Sequence, residues 1–123
     1  MPFSDPYHHL VDIYESIVAV ESFVEGMTFE EFCAEEKTVA AVERKLSLIS
    51  ETAVRPGEAG PRLFPDVLWR DVRGIGNWLR HQYDRVDRET IWTTVERDLP
   101  AMKSFIFQVL ERERKRAQSP ASE

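Results

Sequence analysis

The sequence predicts an all-α protein, an antiparallel bundle of four to five helices. Apolar residues recur at spacings of three and four along most of the 123 residues, which is the period of one helix face. No segment shows the strict apolar–polar alternation of a half-buried strand. Residues 55–61 hold two prolines and two glycines and form the one clear break. Because neither half has enough apolar surface to fold alone, we expect one domain over residues 1–116 and a disordered tail over residues 117–123.

Caps and apolar periods place the individual helices. Asp5 suits an N-cap, Thr28 and Glu31 have the spacing of a capping box, and Asp87 suits another N-cap. Pro100 cannot continue a helix that begins at Asp87. The predicted helical segments are 5–25, a short turn after Thr28, 35–54, 69–83, a segment from 87, and a last helix that starts at Asp98 or Leu99, with a loop from 55 to about 65.

Composition excludes several classes of protein. Apolar residues make up 42% of the chain, too many for wholesale disorder, and no apolar run is long enough to span a membrane. The first residues lack the basic and apolar regions of a secretory signal. A single cysteine, Cys33, cannot form an internal disulfide and is interpreted as a small buried residue. We therefore expect a cytoplasmic protein without a membrane segment.

Charge is distributed unevenly along the chain. The net charge is −6, so the surface as a whole is not built to bind nucleic acid. Residues 1–36 carry nine acidic residues and no lysine or arginine, whereas all sixteen basic residues follow them. The pattern indicates a solvated acidic helix face, or acidic and basic segments that compensate each other within the fold or across a dimer. His8 and His9 diverge by about 100° on a helix, which disfavours a metal site there.

The helix predicted over residues 69–83 carries the residues best suited to chemistry. Asn77 and His81 are four residues apart, so both side chains leave the same face of a helix. A histidine can transfer a proton at neutral pH, and neighbouring arginines can bind a phosphate and stabilise charge in a transition state. Such a set requires neither metal nor cofactor when the nucleophile is the 2′-hydroxyl of an RNA substrate. The alternative is that His81 is only a surface residue of a polar helix.

Two glycines, Gly74 and Gly76, lie inside the same predicted helix. Each costs about 0.5–1 kcal/mol there relative to alanine, so we expect a reason for close approach of the backbone. Tight packing between helices is one such reason. Room for a ligand or a partner chain is the other.

Residues 74–87 resemble the signature region of the HepT-like HEPN family, which reads Arg-Asn-x-x-x-His-x-Tyr followed by a Val-Asp-type cap. Residues 42–53 resemble that family's second-helix pattern, roughly Val-x-Arg-x-Leu-x-x-Ile-Gly-Glu-Ala-Ala. Residues 26–32 and 98–100 are also similar to it. The order and spacing of the four stretches make the match more specific than any one of them.

The resemblance implies an all-helical HEPN-like bundle that pairs into a homodimer, with the signature helices of two subunits at a shared cleft. It implies metal-independent cleavage of RNA, tRNA included, by the toxin of a toxin–antitoxin pair. The antitoxin of such a pair is a minimal nucleotidyltransferase, which in some systems transfers AMP to the signature tyrosine. By position, His81 would transfer the proton, Asn77 would be its polar neighbour, and Tyr83 would be the residue modified.

The chain departs from the signature at Gly76, where the family has its arginine. Loss of a guanidinium that stabilises the transition state could reduce the rate about a hundred- to a thousandfold. Arg80, beside His81, would replace it as a catalytic residue, and Arg73 would anchor a phosphate or RNA. Otherwise the chain is a catalytically weakened HEPN module that docks a nucleotidyltransferase or a nucleotide. A structural helical dimer without a ligand is the third hypothesis.

Overall fold

All regular structure in the described residues is helical, so the all-α prediction is confirmed. The computed structural model describes residues 5–80 and 87–118. Over these two ranges the elements are α1 Pro6–Val24, α2 Phe29–Ala34, α3 Glu36–Val54, α4 Ala59–Leu63, α5 Trp69–Arg80, α6 Arg88–Thr93, a π turn Thr94–Asp98, and α7 Leu99–Gln118. None of these helices is both long enough and apolar enough to cross a membrane.

The predicted helix starts are made by local hydrogen bonds. The Asp5 carboxylate accepts from the Tyr7 N–H at 2.9 Å, with Pro6 at the first helical position. Thr28 Oγ1 accepts from the Glu31 N–H at 3.1 Å, and the Glu31 carboxylate accepts from the Thr28 N–H at 2.9 Å. The predicted capping box is therefore complete. Asp87 likewise caps α6.

Helix α3 makes the main contacts of the bundle, because both α1 and α5 pack against it. On α3 and α5, Ser50 contacts Gly76 while Ala53 contacts Arg73, so residue numbers rise on one helix as they fall on the other. The two helices are therefore antiparallel. Helices α1 and α7 are antiparallel for the same reason, because Tyr14 stacks near Phe107 whereas Glu21 pairs with Lys103.

The interior is built from the apolar stripes of these four long helices, completed by residues of the shorter elements. Phe32 of α2 packs against Trp92 of α6, with ring centroids 5.2 Å apart, and so closes one end of the bundle. The largest fully buried side chains are Phe32, Leu10, Ile13, Ile17, Leu46, Ile49, Ile91, Leu99, Ile106, Val20, Val42 and Val72.

A π turn joins α6 to α7, where the sequence suggested only a break. Pro100 has no N–H to donate and its ring would clash with the carbonyl one turn earlier. The helix instead widens, and the Leu99 N–H donates to the Thr94 carbonyl five residues back. The predicted start of the last helix at Leu99 is correct, but the chain reaches it without leaving a helical path.

Three further details differ from the sequence analysis. The predicted loop contains α4, and Cys33 is half-buried rather than buried. Helix α7 includes residues 117 and 118, which the sequence predicts to belong to the tail. Residues 119–123 lie outside the described residues. Helix α5 is confirmed as far as Arg80, and residues 81–83 of the predicted helix also lie outside that range.

Acidic and basic segments compensate each other in part within the fold. Lys103 pairs with Glu21 at 2.8 Å, and Arg88 lies 3.6 Å from Glu36. The Glu21 hydrogen bond raises the pKa of Lys103 above its usual value. Both pairs join the acidic first 36 residues to the rest of the chain, so one of the two compensations anticipated from the sequence is present within a single chain.

One buried hydroxyl, that of Ser50, fixes α5 against α3. Ser50 is 2% exposed, and its Oγ donates to the Arg73 carbonyl at 2.9 Å and accepts from the Gly76 N–H at 3.0 Å. A buried hydroxyl without a partner is costly, and the bridge satisfies that of Ser50 while it joins the two helices by two further hydrogen bonds.

We expect Ser50→Ala to lower the free energy of unfolding by about 1–3 kcal/mol, because it removes two hydrogen bonds between α3 and α5 that contribute about 0.5–1.5 kcal/mol each. Urea unfolding measures the difference. Ser47→Ala is the matched control, since Ser47 is half-buried on the same helix and makes no side-chain hydrogen bond to a described residue. The control should change stability by less than about 0.5 kcal/mol. Equal stability of the two variants would contradict a structural role for the bridge.

Candidate functional site

The face of α5 that points away from α3 carries Arg70, Gly74 and Asn77. They follow one another at spacings of four and three, so they form a single line along the helix. Val72 and Ile75 lie on the opposite, buried face. Arg70 and Asn77 are exposed. A further step of four along this line reaches His81, which lies outside the described residues.

Trp69 anchors the start of α5. Its indole N–H donates to the Phe64 carbonyl at 2.9 Å, and the ring is 95% buried. Gly60 of α4 lies directly on this ring, because a Cβ at position 60 would come within 2.9 Å of it. The sequence predicts a loop at this point, but the structure forms α4 there. The contact between Gly60 of α4 and the Trp69 ring explains the difference.

Arg73 is held by the main chain at the end of α3. Its Nε donates to the Ala53 carbonyl at 2.9 Å and its Nη2 to the Gly57 carbonyl at 2.8 Å. The guanidinium also lies 5.2 Å from the centre of the Trp69 ring. Carbonyls at a helix end lack partners within the helix, so a cation there is favourable. A phosphate contact by Arg73, as the sequence analysis predicts, would use the N–H groups beyond these two bonds.

The two glycines of α5 have different surroundings. Gly76 is buried, on the side of the helix that meets Ser50 of α3. These surroundings agree with tight packing of the two helices. An arginine at position 76 would leave the helix on its buried side, toward α3. Gly74 is different, since among residues 5–80 and 87–118 no heavy atom beyond its chain neighbours and the α5 backbone lies within 4 Å of the place where a Cβ would stand. Room for a ligand or a partner chain is the explanation that remains for Gly74.

Two grooves meet along the line of Arg70, Gly74 and Asn77. The first has a volume of about 790 Å³ and lies toward Val54, Trp69 and Arg73. The second has a volume of about 540 Å³ and lies toward the π turn and α7. Gly74 and Asn77 line both, so a ligand or partner approaching α5 from outside meets them first.

The structure places only part of the predicted site. Asn77 and Arg73 are on α5 and line the first groove together. His81 and Tyr83, and the side chain of Arg80, lie outside the described residues, so their roles remain predictions. The structure adds Arg70 and Arg97, which the sequence analysis did not single out. Arg70 could have been found from the sequence, because it is seven residues before Asn77 and so lies on the same face of the helix. Arg97 is twenty residues after Asn77, and its spacing gives no sign that it lies near α5.

The histidines of α1 are structural or solvated. His8 is exposed and its Nδ1 lies 2.8 Å from the Asp5 carboxylate, whereas His9 is buried in the bundle. The two side chains point in different directions, as expected for adjacent helical residues. Within residues 5–80 and 87–118, no group of three or more histidine, cysteine and acidic side chains could hold a metal ion.

We expect Gly74→Ala and Gly60→Ala to have opposite effects on the free energy of unfolding. A methyl group at position 74 meets no neighbour and favours the helix, which should stabilise the fold by about 0.5–1 kcal/mol. The same group at position 60 would collide with the rigid Trp69 ring and should destabilise it by about 1–3 kcal/mol. Urea unfolding of both variants checks the signs. A loss of stability in Gly74→Ala would show that its surroundings are not open.

Comparison with known proteins identifies the family. The family model described as "Ribonuclease HepT-like" matches residues 13–109, which is most of the chain. No solved structure matches the chain.

Several curated relatives match most of the chain and most of their own length. A Thermococcus cleftensis protein named "Probable ribonuclease HepT" is 36% identical over 77% of this chain and 86% of its own length. A Methanocaldococcus jannaschii protein provisionally named as an RNase is 33% identical, over 81% of this chain and 83% of its own length. Another protein from that organism, also provisionally named as an RNase, is 32% identical over 79% of this chain and 89% of its own length. The chain belongs to the HepT-like ribonuclease family.

Proposed function

We propose that the chain is a metal-independent endoribonuclease with His81, Asn77 and Arg80 as its catalytic residues. The observation that carries the proposal is the position of Asn77 on an open groove of α5, in a chain that belongs to the HepT-like ribonuclease family. The relatives are named as ribonucleases, which supports RNA as the substrate class. Asn77 is four residues before His81, the spacing at which helical side chains are neighbours.

The other histidines are poor candidates for proton transfer. The chain has three histidines, of which His8 pairs with Asp5 on α1 and His9 is buried in the core. Both lie near the start of α1, which packs mainly against α3 and α7 rather than against α5. A histidine that works with Asn77 is therefore His81.

The chemistry requires no group beyond the protein and the RNA. The 2′-oxygen of a ribose attacks the adjacent phosphorus while the bond from phosphorus to the 5′-oxygen breaks. One base accepts the 2′-hydroxyl proton and one acid protonates the leaving 5′-oxygen. Arg80 stabilises the negative charge on the phosphoryl oxygens. The products are a 2′,3′-cyclic phosphate and a 5′-hydroxyl.

A homodimer would supply both proton-transfer groups. One histidine cannot be base and acid in the same step, whereas two copies of His81 at a shared cleft can divide these roles. The open space at Gly74 leaves room for another chain beside the grooves of α5, as a cleft shared between two copies requires. The alternative function is a binding module with weakened catalysis. It is favoured by Gly76 itself, because the position where the family has its arginine provides no cation.

His81→Ala should lower RNA cleavage by about a hundred- to ten-thousandfold, the usual contribution of a proton-transfer residue. Arg80→Ala should lower it by about a hundred- to a thousandfold. The measurement is cleavage of total RNA and tRNA by purified protein free of any partner. His8→Ala is the matched control and should retain full activity, since it removes an exposed histidine from α1. Wild-type protein that cuts no RNA would contradict the ribonuclease and favour the binding module.

We also propose regulation by a cognate minimal nucleotidyltransferase antitoxin that transfers AMP to Tyr83. The adduct would place negative charge where RNA phosphate binds. Co-expression with such an enzyme should increase the intact mass by one AMP group and abolish cleavage. Tyr83→Phe should prevent the mass increase, whereas the control Tyr7→Phe should not. An unchanged mass in the presence of an active nucleotidyltransferase would contradict this regulation.

A further inference from the structure

The second groove of α5 is lined by two separate parts of the chain. We name it the α5–π groove. Its floor is apolar, since Ile75 and Met102 are almost fully buried, and its rim is polar. Its volume of about 540 Å³ is within the range of small-ligand sites, about 300–1,000 Å³. Its polar members are Arg70, Asp71 and Asn77 of α5 and Thr94, Arg97 and Asp98 of the π turn.

Two arginines, Arg70 and Arg97, reach this groove from different elements. Both are exposed, and neither forms an ion pair or hydrogen bond with another described residue. Arginines elsewhere in the fold, such as Arg73 with the main chain and Arg112 with Asp66, are already engaged, whereas this groove has two that are not. Guanidinium groups without such partners suit the recognition of phosphate, which they can bind through two parallel hydrogen bonds.

The groove also presents acceptors, because Asp71 and Asp98 line it beside the arginines. Both carboxylates are exposed and make no ion pair with a described residue. A bare polyanion would be repelled by them. A ligand that has phosphates together with hydroxyl or amino donors would satisfy both kinds of group, and a ribonucleotide is such a ligand through its 2′-hydroxyl and its base edge.

The π turn explains why Arg97 and Asp98 belong to the groove. Its wider turn inserts an extra residue relative to an α-helix and so changes the direction of the side chains that follow. Thr94 Oγ1 donates to the Thr90 carbonyl at 2.9 Å, and the Leu99 N–H donates to the Thr94 carbonyl. Hydrogen bonds therefore hold the π turn at its first residue and at the residue after its last. They fix the main chain from which the Arg97 and Asp98 side chains extend into the groove.

We propose that the α5–π groove binds a ribonucleotide unit of the RNA substrate next to the cleavage point. Arg70 and Arg97 bind its phosphates, and the aspartates accept from its ribose or base. The assignment rests on the proposed ribonuclease function. It extends the site by residues on the π turn, more than a dozen positions after His81 in the chain.

Binding of single-stranded RNA at several salt concentrations tests the proposal. All variants carry His81→Ala so that the RNA stays intact, and fluorescence anisotropy gives the affinity. Adding Arg70→Ala or Arg97→Ala should weaken binding roughly ten- to a hundredfold. Each should also reduce the slope of log K against log salt by about 0.7, the value for one phosphate contact on a single strand. A merely structural role would not change this slope.

Arg116→Ala is the matched control. It removes the same charge from α7, about 27 Å along the helix from the π turn. It should leave the affinity and the slope close to those of the parent, which is the protein with His81→Ala alone. If Arg70→Ala and Arg97→Ala behave like this control while the parent binds RNA, the α5–π groove is not part of the site. If wild type cuts no RNA and the parent binds none, the proposed function fails together with this one.

The part assigned to the aspartates has its own measurement. The parent should bind RNA more tightly than DNA of the same sequence. Adding both Asp71→Asn and Asp98→Asn should reduce the ratio of the RNA affinity to the DNA affinity at least threefold. Equal affinity of the parent for RNA and DNA would overturn the recognition of ribose.

Discussion

The contact between α3 and α5 is the constraint on which the candidate site depends. Ser50 binds a carbonyl and an N–H of α5, while Arg73 of α5 binds two carbonyls at and just beyond the end of α3. The two bonds of Ser50 are buried or half-buried, and the Ala53 carbonyl belongs to the last turn of α3, where the helix offers it no partner. Because the two anchors fix one side of α5, the opposite side, with Gly74 and Asn77, is presented outward in a defined orientation.

The distribution of charge over the fold suits a nucleic-acid substrate in spite of the net charge of −6. Residues 5–36 hold the acidic segment on and beside α1, α2 and the start of α3, and α1 packs mainly against α3 and α7. Two ion pairs, Lys103–Glu21 and Arg88–Glu36, neutralise part of this acidic segment. Arg70 and Arg97 line the α5–π groove, where a phosphate of the RNA would meet them.

Local interactions made much of the fold predictable from the sequence. The caps at Asp5, Thr28 and Asp87 each join residues within three positions of one another, so their spacing alone identifies them. The family resemblance likewise rested on the order of short motifs, and the family match over residues 13–109 confirms it.

Features that depend on distant residues were not predictable in this way. Ser50 looked like any serine of a helix, because its partners are 23 and 26 residues away. The helix α4 depends on the fit of Gly60 to Trp69, and the position of Arg97 depends on how the π turn packs beside α5. His81, Tyr83 and the side chain of Arg80 belong to the part of the site that remains a prediction.

The central claim is that α5 carries a site which cleaves RNA through the substrate's own 2′-hydroxyl, without a metal. The most direct measurement uses purified, partner-free protein in excess chelator, with an RNA strand and the same strand carrying one 2′-deoxyribose at the cut position. We expect full cleavage of the RNA strand and no cleavage at the deoxy position of the other strand. Cleavage that requires an added metal ion, or that persists at the deoxy position, would contradict it.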